Sequence, residues 1–309
     1  MMRLFLFFFL LSLSFATNAE VMRVTILGSG TPRLDINRFG QSILVEADER
    51  KLLFDVGRGA ALRLNQMNIS PSTIQNIFFT HLHSDHIVGF PDLLMTGWVY
   101  QRKEPLQIYG PLGTKSFVEN IKKAFVEDIK IRTQSPENLD SKAIKFSVNN
   151  IKEGLIYESG ELKVFAIEVD HGGGVEHAFG YKIIYKDKSV VISGDTNYSE
   201  KIVKSSKNVD LLIHEIADAP TDMISKSNKI QGIMNYHTTP KEIANIIEES
   251  KPKLVVLNHI LFLGGVTSDQ VLEKIYNNLK TDVTIKIAYD LMSIEFADKV
   301  NIYSSDYSQ

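Results

Sequence analysis

The chain reads as an α/β protein, and three observations carry that reading. Short apolar runs rich in Val, Ile and Leu alternate along it with longer runs in which apolar residues recur every three or four positions. Several of the apolar runs end directly in His or Asp. Finally, 309 residues with 44% hydrophobic content and no repeats or low-complexity tracts can bury a sizeable core, as one domain over residues 20–309.

In order along the chain, strands are expected at 24–27, 41–46, 51–55, 74–79, 163–169, 181–185, 190–193, 209–213, 254–257 and 284–288. Helices are expected at 60–68, 87–100, 114–127, 199–206, 240–250 and 268–279, the fifth entered at Pro240. Within 87–100 the residues Phe90, Leu93, Leu94, Met95 and Trp98 have helical spacing. Such a stripe suits core packing better than a pocket wall. The first residues read as an export signal: Arg3, then an uncharged stretch of Leu, Phe and Ser over 4–15, then Thr17-Asn18-Ala19. That stretch is too short to span a bilayer comfortably, so cleavage after Ala19 is expected to leave a periplasmic or secreted protein without a stable membrane anchor. With no Cys there is neither a lipidation thiol nor a disulfide.

The most informative stretch is His81-Leu82-His83-Ser84-Asp85-His86, three imidazoles and a carboxylate within six residues directly after the run 74–79. An extended exit puts positions i and i+2 on one side, so His81 and His83 can share an ion. If Ser84 or Asp85 caps the helix 87–100, then Asp85 and His86 face the same cavity from another direction, and two metals can be served. Nitrogen and oxygen donors without thiolate suit Zn²⁺, with Mn²⁺ and Fe²⁺ compatible. None of the eight His precedes His81, and the later apolar runs deliver His171, Asp195, His214 and His259 at their ends. A sheet that brings such residues to one edge is building a site.

In sequence order, HLHSDH, VDHGGGVEHAFGY, SGDT, LLIHE, YHTTP and LNH resemble the motifs of the metallo-β-lactamase-fold metallo-hydrolases, and most closely the branch holding tRNase Z and the arylsulfatase-like hydrolases. The likeness runs from Leu27-Gly28-Ser29-Gly30-Thr31-Pro32 through Phe54-Asp55-Val56-Gly57-Arg58-Gly59 to Leu257-Asn258-His259. It implies an αββα four-layer sandwich. It also implies that His81, His83 and His171 bind one divalent ion, that Asp85, His86 and His259 bind a second, and that Asp195 bridges them. Asp85 could in addition orient the attacking water. Glu215 and His237 match a Glu and a His that tRNase Z relatives use together, the Glu orienting the His and the His protonating the departing oxygen. In the third motif His171 follows an acid and precedes Gly, as the family's ligand does; His177 is the other imidazole there, expected at the rim or in solvent. Tyr198 echoes a Tyr that lactonases of this fold place near the substrate, and packing is its other reading.

Charge and spacing bear on the substrate. Removing residues 1–19 deletes Arg3 and no acid, taking the formal charge from −3 to −4, which offers no excess for neutralising a phosphate backbone. Only 24 positions separate His171 from Asp195, too few for the long tRNA-clasping arm common in tRNase Z. The expected function is therefore an exported dinuclear hydrolase that uses a metal-activated water on a small ester-like molecule, whether phosphodiester, sulfate ester, carboxylic ester or lactone. A nucleic acid is the less favoured partner, and a homodimer is compatible with the chain. Two other readings stay open: a tRNase Z-like 3′-processing endoribonuclease, and a non-catalytic metal-dependent binding or sensor domain.

Overall fold

The computed structural model describes residues 21–297 and 300–304. The expected signal, with its cleavage point before Glu20, lies outside the described residues. Two sheets face one another. The first has the order β15–β14–β1–β2–β3–β4–β5–β6, built from β1 (Met22–Gly28), β2 (Ser42–Ala47), β3 (Arg50–Phe54), β4 (Asn76–Phe78), β5 (Leu106–Gly110), β6 (Phe146–Asn150), β14 (Met292–Phe296) and β15 (Val300–Ser304). The second has the order β13–β12–β11–β10–β9–β8–β7, from β7 (Gly154–Ser159), β8 (Leu162–Val169), β9 (Ala178–Tyr185), β10 (Lys188–Ile192), β11 (Leu211–Asp218), β12 (Leu254–Phe262) and β13 (Thr284–Ile287).

Alternation along the strands explains the layers. Val24, Ile26, Ile43, Val45, Leu52 and Phe54 of the first sheet meet Val164, Tyr181, Ile183, Val190, Ile192 and Ile213 of the second in a shared central core. Leu27, Leu44, Leu53 and Ile77 point the other way, against helices α1 (Ala60–Gln66) and α3 (Phe90–Val99). On the far side Val191, Leu212, Val255 and Leu257 pack on α6 (Glu200–Ser205), α9 (Pro240–Ser250) and α10 (Ser268–Tyr276). This is the αββα sandwich that the resemblance implied. Full burial of each such Ile, Leu or Val contributes about 1.5–3 kcal/mol. Phe90, Leu93, Leu94, Met95 and Trp98 sit in the outer core, as expected for packing.

Several boundaries differ from expectation. The helix expected over 87–100 is two helices, α2 (Ser84–Ile87) and α3, broken at Val88-Gly89. The break has a physical cause: Gly89 donates to the Val56 carbonyl at 2.9 Å, and a Cβ on Gly89 would lie 2.1 Å from the Gly57 carbonyl oxygen. Pro91 then restarts the helix within its first turn. The helix expected over 114–127 likewise divides at Phe125 into α4 (Thr114–Ala124) and α5 (Val126–Arg132). Finally, β11 and β12 run several residues beyond the expected ends at 213 and 257. Two short helices, α7 (Thr221–Lys226) and α8 (Asn228–Met234), follow β11 and cover its end through Ile224, Ile230, Ile233 and Met234.

Candidate metal centre and its cavity

The site forms where strands of both sheets end side by side, the usual place for a ligand in parallel sheets. His81 follows β4, His83 is the N-cap of α2, and Asp85 and His86 belong to α2. His171 follows β8, and Asp195 follows β10 through Gly194, whose φ of 63° favours glycine and where a Cβ would lie 2.5 Å from the Phe179 carbonyl oxygen. Neither Ser84 nor Asp85 is the cap; His83 takes that position in extended conformation, without a side-chain hydrogen bond to the helix.

His259 is reached differently. It lies inside β12, where the register with β11 jumps from Glu215↔Asn258 to Ile216↔Ile260. His259 is thus the extra residue of a β-bulge, with φ at 45°. A bulge turns one side chain out of the regular alternation, and here it turns an imidazole into the site. The pairing with β11 resumes at Ile216↔Ile260, and the Ile260 amide donates instead to the Ser29 carbonyl of the loop after β1, at 3.1 Å.

Asp195 is the centre of the cluster. Its Oδ2 lies 3.3 Å from His86 Nε2, 3.3 Å from His259 Nε2, 3.8 Å from His171 Nε2 and 4.0 Å from His81 Nε2. His259 Nε2 is also 3.1 Å from Asp85 Oδ2, and His171 Nε2 is 3.1 Å from His83 Nδ1. Ligating atoms come within 4.8 Å of one another in four triads: His81-His83-His171, His81-His86-Asp195, Asp85-His86-His259 and Asp195-His237-His259.

Whether these residues fit a divalent cation can be tested on their unsatisfied atoms. Of the cluster, His81 Nε2, His86 Nε2 and Asp195 Oδ1 are buried without a hydrogen-bond partner, and the His171 and His259 rings turn Nε2 towards the same point. So many orphaned acceptors in one place are costly in a protein interior unless something positive meets them. The tautomers point the same way. His86 Nδ1 donates to Asp55 Oδ2 at 2.7 Å, and His81 Nδ1 has the Thr80 hydroxyl at 3.0 Å, which leaves both Nε2 lone pairs facing the cluster. The donor set fits a divalent metal ion.

Charge is organised around the same point. Burial would raise the Asp195 carboxyl, but His259, His86 and His81 hold it well below the usual carboxylate range. Burial pushes His81 well down, with His86 adding to the effect. Asp55 behind His86 is pushed up by burial, against the pull of His86 and Thr80.

A second polar group adjoins the cluster. Glu215 of β11 accepts from His237 Nδ1 at 3.1 Å, from the Thr238 amide at 3.0 Å and from the Thr196 amide at 3.3 Å, all on Oε1. Burial opposes charge on His237, but Glu215, Asp195 and Asp85 raise its pKa to about 9. His214, one residue earlier on the strand, faces away from the cavity and bonds the Glu215 carbonyl through Nδ1.

A cavity of about 490 Å³ opens from the cluster, with His83, Asp85, His171, Asp195, His237 and His259 at its base. Tyr236, Ile233, Leu261, Leu263 and Pro32 wall it, and Arg33 and Lys229 also reach it. His177 is exposed and joins none of the ligand triads, so the structure brings His171, and not His177, to the cluster. Tyr198 is not among the cavity's lining residues either: its hydroxyl donates to Glu249 at 2.9 Å, and burial and that carboxylate raise its pKa to about 12. The lactonase-like reading of Tyr198 therefore falls to packing.

Sequence reasoning gave no role to Asp55, Thr80, Arg33, Lys229 or Tyr236. Asp55 left a signal, an acid closing the apolar run 51–55, but its φ of 57° and its grip on Thr80 and His86 are tertiary facts.

Fold and donor set together define a metal-binding hydrolase of the metallo-β-lactamase fold. The chain belongs to the family described as "Anti-Pycsar protein Apyc1", whose model matches residues 22–259. It is also similar to the Ribonuclease Z of Mycobacterium sp. (strain KMS), 31% identical over 243 residues, which cover 78% of this chain and 85% of that protein. Among solved structures, the metallo-β-lactamase fold protein YhfI from Bacillus subtilis superposes with a TM-score of 0.68 at 19% identity, over 90% of this chain and 100% of that one. Human tRNase Z, short form, gives 0.63 at 23% identity, over 88% and 98%.

Proposed function

We propose that the protein is an exported dinuclear metallo-hydrolase that cleaves a small phosphodiester, with residues 20–309 as its catalytic domain. The observation that carries this reading is His237, held by Glu215 at 3.1 Å and lining the same cavity as the imidazole and carboxylate cluster. His81, His83 and His171 would hold one ion, Asp85, His86 and His259 the other, with Asp195 shared. Two divalent ions, Zn²⁺ before Mn²⁺ or Fe²⁺, would supply Lewis acidity and a water that ionises near neutral pH.

The chain's own residues do the rest. Asp85, beside His259, is placed to orient the attacking water. His237 holds its Nδ1 proton on Glu215, which leaves Nε2 to give a proton to the departing oxygen. Such an acid matters most where the leaving group is a basic alkoxide, as in a nucleoside or sugar phosphodiester. The Ribonuclease Z relatives support the same bond class, since RNA is itself a phosphodiester.

That relationship also favours a second reading, RNA 3′-processing. Against it, the interval between His171 and Asp195 is filled by the β9–β10 hairpin, whose turn is Lys186-Asp187. The deciding experiment is rate profiling of metal-loaded protein on a precursor tRNA beside small phosphodiesters, phosphomonoesters, sulfates, carboxylic esters and lactones. Preference for small diesters supports the proposal, preference for the tRNA transfers it to the second reading, and turnover of neither sinks both. Export is a separate part of the proposal, resting on Arg3 and the apolar stretch 4–15. Glu20 at the N-terminus of protein from the native host supports it, and intact Met1 in a cytosolic fraction overturns it.

A further inference from the structure

Resting on that reading, an inference about substrate choice follows from the cavity mouth. Helix α8 and the residues after it present Lys229, Ile233 and Tyr236 to the cavity at spacings of four and three, one helical stripe, with His237 next in sequence. The loop after β1 brings Arg33 to the same cavity. Both cations are exposed. Among the described residues Lys229 has no ion-pair or hydrogen-bond partner, and Arg33 uses one donor, Nη1, on the Phe262 carbonyl at 3.0 Å.

No carboxylate of the lining answers these charges. Among the described residues Asp85 and Asp195 are its only acids, and both lie within 3.5 Å of the His86 and His259 imidazoles at the base. Pro32, Ile233, Leu261 and Leu263 give the lining an apolar part. A volume of about 490 Å³ accommodates a ring-bearing ligand of nucleotide size as well as its scissile phosphate. A ligand with its scissile phosphate at the base can lay a ring on these apolar side chains and still reach Lys229 and Arg33, which line the same cavity.

We propose that Lys229 and Arg33 bind a second phosphate of the substrate, separated from the scissile one by a ring, so that the preferred substrates are phosphodiesters bearing a terminal phosphomonoester. An ammonium and a guanidinium suit that dianion, one as a point charge and one as a fork of donors. Because both side chains are exposed, solvent screening keeps the gain modest, roughly tenfold in kcat/KM. Simple steering would instead favour any phosphodiester alike.

The test compares thymidine 5′-(p-nitrophenyl phosphate) with the same compound carrying a 3′-phosphate, probes that share the scissile bond and leaving group. Metal-loaded protein is expected to favour the 3′-phosphorylated probe by roughly tenfold or more at low salt, mainly through KM, and Lys229→Met and Arg33→Met should each pull the ratio towards one. A ratio of one in the native protein, or a ratio that survives both substitutions, overturns the proposal. If neither probe is cleaved, the hydrolase reading has failed on its own account. Calorimetric titration of metal-free protein then decides the subsite: thymidine 3′,5′-bisphosphate should bind more tightly than thymidine 5′-phosphate and lose that advantage in the double variant. Equal affinities in the native protein overturn it.

Discussion

Glu215 accepts the Nδ1 proton of His237 at 3.1 Å and, on the same oxygen, the amides of Thr196 and Thr238. One carboxylate thereby ties the loop after Asp195 to the loop that carries the candidate acid. If His237 protonates the leaving oxygen, His237→Gln costs roughly 10²–10⁴-fold in kcat on a diester with an alkyl alkoxide leaving group and far less on a p-nitrophenyl ester. Glu215→Gln shows the same selectivity in weaker form, and His214→Ala, on the opposite face of the strand, shows none. Equal losses on both substrates would assign His237 to structure.

The same pair predicts a titration. In metal-free protein His237 carries its proton up to about pH 9 because Glu215 outweighs the burial of the imidazole. The folded pKa is raised above the unfolded value of about 6.5, so the stabilisation is fully present below pH 6.5 and is lost as pH rises through 9. The His237 ring resonance followed by NMR should have its midpoint near 9. Glu215→Gln should lower that midpoint by about a unit or more, since it removes the strongest raising partner. A midpoint near 6.5 in both proteins would show that the ion pair does not form.

Much of the site was legible because its residues sit where sequence leaves marks. His81, His83, Asp85 and His86 share six residues, and His171 and Asp195 directly follow apolar strands, so composition alone brings them forward. His259 was legible as a residue but not as geometry, since a bulge depends on the register of β12 against β11, which no local pattern encodes. The break at Gly89 was hidden for a related reason. It arises from backbone contact with Val56 and Gly57, more than thirty residues earlier. Strands β6 and β7 escaped notice because they are half-exposed edge strands whose Asn, Glu and Ser dilute the alternation. Helix α8 carries Gly232 and is only seven residues long, and it earns its place by covering the ends of β11 and β12 rather than by propensity.

Metal content distinguishes the two His of the third motif. Elemental analysis of purified protein should find close to two divalent ions per chain. His171→Ala should lower that number and abolish activity, because a ring whose Nε2 lies 3.8 Å from Asp195 Oδ2 is lost from the cluster. His177→Ala, an exposed site outside the triads, should leave metal content intact. Asp195→Ala should weaken both sites together, given its approach to four imidazoles. A native content near zero after reconstitution with Zn²⁺ or Mn²⁺ would remove the mechanism altogether.

Asp55 offers the sharpest test of how the ligands are aimed. It is buried, holds the Thr80 amide and hydroxyl at 2.8 Å each, and takes the Nδ1 proton of His86 at 2.7 Å. That last bond fixes the His86 tautomer with a bare Nε2 towards Asp85 and Asp195. In Asp55→Asn the side chain is neutral, and its amide can turn a donor towards His86. Nδ1 must then become the acceptor, which moves the proton to Nε2 and blocks that ligand. The expected result is a loss of roughly 10–100-fold in affinity for the more weakly held ion, read by competition with a chromogenic chelator. Thermal stability should fall as well, since a buried charged acceptor with three bonds is replaced. Stability alone cannot decide the role, so the chelator titration does: a variant that melts earlier yet binds both ions with native affinity would make Asp55 a packing residue, and a selective loss of one ion makes it the residue that aims His86.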